Sequence, residues 1–176
     1  LETQIKMWYN IYSIKKRNEN MEAKTNVMRI LDKQKIDYTP HFYSSDDGRI
    51  DGVAVAEKIG KPVDCVFKTL VTKSGRDFFV FVIPVHKELN LKKCAKSVGQ
   101  KSVEMIRVDE INKATGYIRG GCSPIGMKKQ FATVVDESAK NCETIIFSAG
   151  KIGTQVEIAP NDLEKVIPLT FGELTE

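Results

Sequence analysis

The stretch "CVFKTLVTKSGRDFFVFVIP", Cys65 to Pro84, contains two apolar runs that flank a short polar segment. The runs at residues 65–72 and 78–84 are rich in Val, Ile, Thr and Phe, which are residues that favour strands. The segment between them contains Ser, Gly and Asp, which favour turns. The pattern predicts a β-hairpin near the centre of the chain.

Lys68 lies inside the first run of this hairpin. Because successive side chains of a strand point to opposite faces, Lys68 shares a face with the apolar Val66 and Leu70. A lysine in this setting either extends its amine to solvent at an edge or points it into a pocket. The residue pattern alone leaves both possibilities open.

Helical and strand patterns alternate before the hairpin, and strand patterns cluster after it. Helices are predicted at 22–36, 52–59, 91–98 and 109–115, the last capped by Asp109, with a short one from Asn161 or Asp162. Further strands are predicted at 38–43, 103–108, 131–135, 144–148, 155–159 and 167–171. This order predicts an α+β single domain, with a curved, partly barrel-like mixed β-sheet and helices packed outside it.

The composition suits one packed domain, since the chain has 176 residues of which 41% are hydrophobic and 28% charged. Residues 1–20 combine aromatic residues with a basic run, and we expect a leader or tag-like extension there, or a short helix that contacts a partner. Residues 21–176 are then the folded domain. The apolar run at 78–83 is far too short to span a bilayer, and no secretory signal pattern is present, so we expect a cytoplasmic protein.

Metal and disulfide chemistry have little support in the sequence. Four cysteines, Cys65, Cys94, Cys122 and Cys142, are widely and irregularly spaced, which predicts reduced thiols and no zinc site. His41 and His86 have no acidic or cysteine neighbours arranged for a metal or a catalytic triad. We expect no metal and no cofactor.

The basic residues indicate at most a local nucleic-acid contact. Formal net charge is +4, and the first twenty residues supply +2 of it. Such a small excess requires a patch rather than the whole surface to attract phosphates. The candidates lie on and just after one predicted helix and directly after a glycine-rich stretch: Lys92, Lys93, Lys96, Lys101, Lys128 and Lys129. A solvated surface is the alternative.

The glycine-rich stretch is "GYIRGGCSPIGMKK", Gly116 to Lys129, and it contains four glycines. Glycines allow a main chain to approach a ligand closely, although a plain irregular loop also contains them. A second small-residue turn, "SAGKIG" at 148–153, is predicted to link two strands. Together with Lys68, two such turns could line a pocket that offers backbone N–H groups to an oxygen atom.

These elements, in this order, resemble the YbaK/EbsC-type aminoacyl-tRNA deacylases, relatives of the editing domain of bacterial prolyl-tRNA synthetases. The resemblance covers residues 21–176. It rests on "FKTLV" at 67–71, "LNLKKCAKSVGQKSVEMI" at 89–106, "TGYIRGGCSPIGMKK" at 115–129 and "ETIIFSAGKIGTQVEIAPNDL" at 143–163.

The resemblance implies specific site residues. Lys68 matches the functional lysine of the family, and Gly120 and Gly121 would let the main chain approach the ester and the terminal adenosine. These three are the candidate catalytic residues. The candidate substrate-binding residues are Tyr43, Thr69, Cys122, Ser123, Pro124, Ser148, Ala149 and Gly150, and the candidate tRNA-binding residues are Lys92, Lys93, Lys128 and Lys129.

The implied activity is metal-independent, hydrolase or lyase-type editing of mischarged Cys-tRNA(Pro), and also of Cys-tRNA(Cys), in which the thiol of the substrate attacks the ester. Cys122 stands where relatives more often carry an apolar residue, and no histidine supports it as a nucleophile. The implied partners are the acceptor end of an aminoacyl-tRNA and, as an open question, prolyl-tRNA synthetase. Ala-tRNA(Pro) editing, a non-catalytic tRNA- or synthetase-binding module, and a nucleotide-binding protein remain as alternatives.

Overall fold

The computed structural model describes residues 3–8, 11 and 23–176. Residues 3–8 are helical and exposed, and Trp8 keeps 73% of its surface accessible. The predicted extension at residues 1–20 lies largely outside the described residues, so the domain boundary at Met21 stays a prediction. No described helix is both long and apolar enough to cross a membrane.

The predicted hairpin is confirmed and forms the longest pair of strands. β2 (Phe67–Ser74) and β3 (Asp77–Pro84) pair antiparallel along their whole lengths. Their turn is shorter than predicted because only Gly75 and Arg76 separate the strands, and Gly75 adopts φ +59°. Two-residue turns that accept positive φ match the right-handed twist of paired strands, so the ladder continues to Ser74 and Asp77.

The strands lie in two sheets. The five-stranded sheet has the order β4 (Glu104–Met105), β2, β3, β5 (Ala132–Asp136) and β8 (Thr170–Gly172), with antiparallel and parallel neighbours. The three-stranded sheet has the order β1 (Thr39–Phe42), β7 (Thr154–Ile158) and β6 (Ile145–Lys151), with β1 at an edge as Pro40 requires. A parallel bridge between Val66 and Ile146 joins the sheets. The α+β prediction is confirmed, and the strands form two sheets joined by this bridge; the partly barrel-like shape stays a prediction.

Five α-helices lie in the region from Asn26 onward: α1 (Asn26–Lys33), α2 (Gly52–Ile59), α3 (Leu91–Ser97), α4 (Val108–Thr115) and α5 (Pro160–Val166). Short 3-10 helices cover Val63–Cys65 and Glu137–Asn141. The Asp51 side chain accepts from the N–H of Ala54, and Gly60 ends α2 in the left-handed conformation. Local capping therefore sets both ends of α2, over the range that the sequence predicts.

Three predicted helix starts are wrong. The first helix, α1, starts at Asn26 and not at residue 22, because the Thr25 side chain caps it by accepting from the backbone N–H of Met28. Arg107, not Asp109, is the N-cap of α4, because the Glu110 carboxylate accepts from the Arg107 backbone N–H at 2.8 Å. Ala159 caps α5, which starts at Pro160, since proline fixes φ at a helical value and lacks the N–H that would be unpaired there. The predicted strand at 103–108 is also reduced to Glu104–Met105.

The main core lies between the two sheets and is covered by α1. Its members include fully buried side chains from α1 and from both sheets: Val27, Leu31, Val80, Val82, Val135, Phe147 and Val156. A second cluster packs α3 against the other face of the five-stranded sheet: Phe81, Ile83, Cys94, Ala95 and Leu174. The five-stranded sheet is thus covered on both sides, which fixes the strand that carries Lys68.

The prediction of four reduced cysteines is wrong for one pair. Cys65 and Cys142 form a disulfide with a Cα–Cα distance of 6.0 Å across 77 residues of sequence. They meet because Cys65 immediately precedes the Val66–Ile146 bridge on one side and Cys142 precedes β6 on the other. Cys94 and Cys122 are free thiols.

Candidate functional site

A cavity of about 910 Å³ lies against β2, between the loop that precedes α2, the start of α4 and the glycine-rich stretch. Most of its wall is apolar, with a few polar groups, which is the usual composition of a small-molecule site. The polar and charged residues on the wall are Tyr43, Asp51, Lys68, Thr69, Glu88, Arg119, Cys122, Ser148 and Gln155.

The Lys68 side chain both reaches solvent and lines a pocket, the two possibilities that its sequence pattern leaves open. It lines the cavity, and its side chain keeps 25% of its surface accessible. Its Nζ lies 3.4 Å from Oε1 of Glu88, whose side chain is 82% exposed. An ion pair with so exposed a carboxylate is weak, so an anionic ligand group can replace Glu88 as the partner of Lys68.

Two hydroxyl groups on the cavity wall have no hydrogen-bond partner among the described residues. They are the side-chain hydroxyls of Tyr43 and Thr69, and both atoms are buried. Leaving a buried hydroxyl unpaired costs about 1–3 kcal/mol, so such groups call for a bound partner. Both residues line the same cavity as Lys68, so a ligand bound there could supply the missing hydrogen-bond partners.

Gly120 and Gly121 have different surroundings. Gly120 lines the cavity at φ +86°, and a Cβ there would lie 2.9 Å from Cδ1 of Ile50. Gly121 is buried, and its Cβ would lie 3.3 Å from the backbone nitrogen of Ile152. Only Gly120 therefore forms part of the wall, whereas Gly121 permits close contact between two protein segments.

Cys122 lines the cavity, but its surroundings do not activate it. Burial raises the pKa of the Cys122 thiol to about 12. The thiol thus stays protonated at neutral pH, and a neutral thiol is a poor nucleophile. Ser123 and Pro124 are buried and do not line the cavity, and the Ser123 hydroxyl accepts from the backbone N–H of Ile125 at 3.3 Å.

If the chain has the deacylase activity that its resemblance implies, we expect Cys122→Ser to keep at least about half of the wild-type rate, because the thiol is neutral and contributes no nucleophile. The rate is measured with Cys-tRNA(Pro) at neutral pH, after circular dichroism has verified the fold. A folded Cys122→Ser protein without activity would instead assign the thiol a direct part in the reaction.

The second small-residue segment is not the simple link that was predicted. Ser148, Ala149 and Gly150 lie within β6, and the turn to β7 contains only Ile152 and Gly153. A bulge between Ser148 and Lys151 accommodates the extra residues. Ser148 lines the cavity and accepts from the backbone N–H of Gly150 at 3.1 Å, whereas Ala149 is fully buried in the core.

Tyr117 connects the two glycine-containing segments, and sequence reasoning did not identify it. Its hydroxyl donates to the carbonyl of Ile125 at 2.5 Å, and burial raises its pKa to about 12, so it remains a donor. A Cβ on Gly126 would lie 2.8 Å from the Tyr117 hydroxyl, and one on Gly150 would lie 2.8 Å from its ring. Both glycines thus make room for one tyrosine.

Other wall residues were also missed by sequence reasoning. Arg119, next to Gly120, adds a second basic side chain to the wall. Met105 and Val108 are exposed apolar residues at the cavity, and Gln155 is a buried polar residue paired with Ser148 in the β6–β7 register. Arg119 could have been found from its place inside the glycine-rich stretch, but the others have no local signal.

The candidate tRNA-binding lysines do not line the cavity. Lys92 is exposed on α3, whereas Lys93 donates to Glu173 and, at 2.9 Å, to the carbonyl of Thr175. The bond to Glu173 raises the pKa of Lys93. Lys128 packs its aliphatic stem beside Gly116, and Lys129 places its Nζ 6.0 Å from the ring centroid of Phe131. A role for these lysines in tRNA binding stays a proposal.

Neither histidine belongs to the cavity wall. His41 contacts the Glu157 carboxylate at 2.5 Å, and His86 lies 3.3 Å from Asp64. From residue 23 to the end, and in the short described segment before it, no group of three or more His, Cys, Asp or Glu side chains is placed to hold a metal ion.

The sequence profile of the aminoacyl-tRNA editing domain matches residues 51–166, a range that contains Lys68, Gly120 and Ser148. EbsC of Enterococcus faecalis, whose name describes Cys-tRNA(Pro)/Cys-tRNA(Cys) deacylation, is 44% identical over 156 residues, which cover 88% of this chain and 93% of EbsC. A proline–tRNA ligase of Fervidobacterium nodosum is 31% identical over 91 residues, 52% of this chain but only 15% of the ligase.

Two solved structures share the fold. One is a trans-editing enzyme for prolyl-tRNA synthetase by its description, with a TM-score of 0.74 and 18% identity over 85% of this chain and 94% of that one. The other is the hypothetical protein APE2540, with a TM-score of 0.77 and 20% identity over 85% of this chain and 99% of that one. The profile match and the similarity to EbsC confirm the predicted resemblance: this chain belongs to the aminoacyl-tRNA editing domain family.

Proposed function

We propose that the chain is a trans-editing enzyme that deacylates Cys-tRNA(Pro), and also Cys-tRNA(Cys). The observation that carries the proposal is the cavity in which Lys68 and Gly120 lie with the unpaired hydroxyls of Tyr43 and Thr69. The similarity to EbsC supports the identity of the substrate.

The size of the cavity supports a ligand larger than an amino acid. Its volume of about 910 Å³ lies near the upper end of the usual range for small-molecule pockets, about 300–1,000 Å³. It therefore has room for the terminal aminoacyl-adenosine of a charged tRNA. Lys68 and Arg119 supply positive charge for the phosphate next to that nucleoside, and Met105 and Val108 supply apolar surface for its base.

In the proposed reaction the substrate supplies its own nucleophile. The cysteinyl sulfur attacks the carbonyl carbon of its own ester, the bond from that carbon to the ribose oxygen breaks, and the thiol proton passes to the ribose oxygen. The cyclic thioester that remains is then opened by water. Lys68 and the backbone at Gly120 stabilise the oxyanion and hold the ester in place, which is sufficient for an already reactive ester.

This mechanism explains selectivity without a tight amino-acid pocket. Alanine and proline have no thiol, so their esters lack the nucleophile even when they enter the cavity. A second site that removes only the wrong product is a general answer to a synthetase that discriminates imperfectly. Alanine editing and a non-catalytic binding module remain the competing functions.

The test is release of the amino acid from a panel of charged tRNA(Pro): Cys, Ala, Pro and Ser. We expect rapid loss of cysteine and little loss of the others; serine is the matched control because its hydroxyl replaces the thiol. Equal loss of serine and cysteine would contradict attack by the substrate thiol. Preferential loss of alanine would assign the alternative specificity, and binding without any release would assign a non-catalytic module.

The proposal includes the site residues predicted from the family, the basic contacts to tRNA, and a cytoplasmic location, since translation takes place there. Gly121, Ser123, Pro124, Ala149 and Gly150 do not line the cavity, and their proposed role is to support the segments that do. Prolyl-tRNA synthetase is the proposed protein partner that would present the misacylated tRNA. Addition of the synthetase to the deacylation assay tests this part directly.

We expect the double reversal Lys128→Glu/Lys129→Glu to raise KM for Cys-tRNA(Pro) and leave kcat nearly unchanged. If these lysines contact acceptor-stem phosphates, the slope of log K against log salt should shrink by about 0.7–0.9 for each phosphate that is no longer neutralised. The matched control reverses the exposed Lys33 and Lys35 near the end of α1, which changes net charge equally. An equal response of both double variants would show that only net charge matters. If neither KM nor the salt slope changed, tRNA would bind at another surface.

A further inference from the structure

Lys58 lies on α2 and forms hydrogen bonds to the loop that precedes that helix, residues 44–49. Its Nζ donates to the carbonyl of Ser44 at 2.8 Å, to the carbonyl of Arg49 at 2.8 Å and to the carboxylate of Asp47 at 2.7 Å. An ammonium has three N–H groups, so these acceptors satisfy it completely. The side chain keeps only 19% of its surface accessible although residues 44–49 are exposed.

The same loop forms one wall of the cavity. Tyr43 precedes it, Gly48 lies within it and Ile50 follows it, and all three line the cavity. The Nζ of Lys58 also lies 5.9 Å from the centroid of the Tyr43 ring, within the range of a cation–π contact. Lys58 thus contacts both the loop backbone and the aromatic ring whose hydroxyl has no partner among the described residues.

The backbone N–H of Tyr43 donates to the carbonyl of Gly153 at 3.0 Å, so the start of the loop is held independently of Lys58. The remaining ties of residues 44–49 are local or exposed. Within it, Gly48 donates to the carbonyl of Ser45, and Arg49 donates to Asp47 two residues before it. The Arg49–Glu57 ion pair reaches α2, but both side chains are about 60% exposed, and exposed pairs contribute little. Among the described contacts, Lys58 is therefore the principal link between the loop and the body of the domain.

We propose that Lys58 is a positioning residue for the deacylation site: it fixes residues 44–49 as a cavity wall and supports the Tyr43 ring from that side. The kinetic part of this inference rests on the proposed function. Without the tie, the loop is free before binding and must become ordered when the aminoacyl end enters, and that ordering lowers affinity. Lys68 and Gly120 lie on other segments, so the chemical step itself should change little.

The experiment compares Lys58→Met with Lys61→Met in the complete protein. Both changes remove one positive charge near the end of α2, but Lys61 contacts Glu157, at 3.6 Å, and not the loop. For Lys58→Met we expect KM for Cys-tRNA(Pro) to rise about tenfold and kcat to stay within about threefold, as expected when an ordered wall must form on binding. Lys61→Met should resemble the wild type.

A second measurement does not depend on activity. Trypsin cleaves after Arg49, and mass spectrometry of the fragment that ends there reports how often the loop opens. We expect this cleavage to be about tenfold faster in Lys58→Met than in Lys61→Met, because a segment with fewer ties opens more often. If the wild type deacylates no tRNA, the proposed function fails, and trypsin cleavage alone decides whether Lys58 holds the loop.

Three results would overturn the inference. Cleavage after Arg49 at the same rate in both variants would show that Lys58 does not hold the loop. Equal kinetic defects in both variants would assign the effect to the change in charge. A lower kcat with unchanged KM would indicate only a smaller folded fraction. If Lys58→Met does not fold, Asp47→Ala removes one acceptor from the exposed side of the tie and takes its place in both measurements.

Discussion

Replacing Lys68 with alanine should lower kcat/KM for Cys-tRNA(Pro) by at least about tenfold, since removing one preorganised hydrogen-bond donor from a site costs about 10²–10³ in kcat. Lys68 lines the same cavity as Tyr43 and Thr69, whose hydroxyls have no partner among the described residues. Its present partner, Glu88, is exposed, so Lys68 can exchange it for a substrate oxygen at little cost. The measurement is single-turnover release of cysteine, with the fold verified by thermal unfolding.

The matched control is Lys73→Ala on the same strand. Lys73 donates to the Glu110 carboxylate at 3.0 Å and does not line the cavity. Its replacement removes a partly exposed ion pair and should leave turnover unchanged. Unchanged turnover in a folded Lys68→Ala protein would refute the assignment of Lys68. Loss of turnover with retained tRNA binding would separate an enzyme from a binding module.

Gly120→Val should abolish measurable activity, with a loss of at least about a hundredfold, because misplaced site geometry alone can cost about 10². Two effects act together. At φ +86° a β-branched side chain is strained. Its Cβ would also lie 2.9 Å from Cδ1 of Ile50, so the loop before α2 and the glycine-rich stretch must move apart. The measurement is the same single-turnover assay.

Gly60→Val is the control for backbone strain. Gly60 ends α2 at φ +69°, and a Cβ there would meet nothing within 4 Å. We expect both variants to lose stability, but only Gly120→Val to lose activity in the folded fraction. An active Gly120→Val protein would show that the backbone at this position does not approach the ester.

Much of the fold is predictable because its signals are local. Asp51 and Gly60 enclose α2, and the predicted range 52–59 is the observed one. The alternating pattern around Lys68 and the turn residues after it identify the hairpin. Division of the strands between two sheets is not predictable in this way, because it depends on pairing between residues far apart, such as Val66 with Ile146.

The residues of the candidate site also divide into those that local sequence patterns predict and those that depend on tertiary packing. Lys68 and Gly120 were found from their local patterns and their resemblance to the family, and both line the cavity. The wall formed by Met105 and Val108, the unpaired state of two hydroxyls and the disulfide between Cys65 and Cys142 all depend on tertiary packing. No spacing in the sequence indicates that residues 77 positions apart will meet.

The packing of two glycines against one tyrosine ring affects how this part of the chain can change over generations. Gly126 and Gly150 lie on separate segments, yet Tyr117 occupies the space that a side chain at either would need. Alanine at one position forces the ring to move, and a ring that has moved no longer excludes alanine in the same way at the other. Substitutions at the three positions are therefore not independent: the effect of each depends on the residues present at the other two.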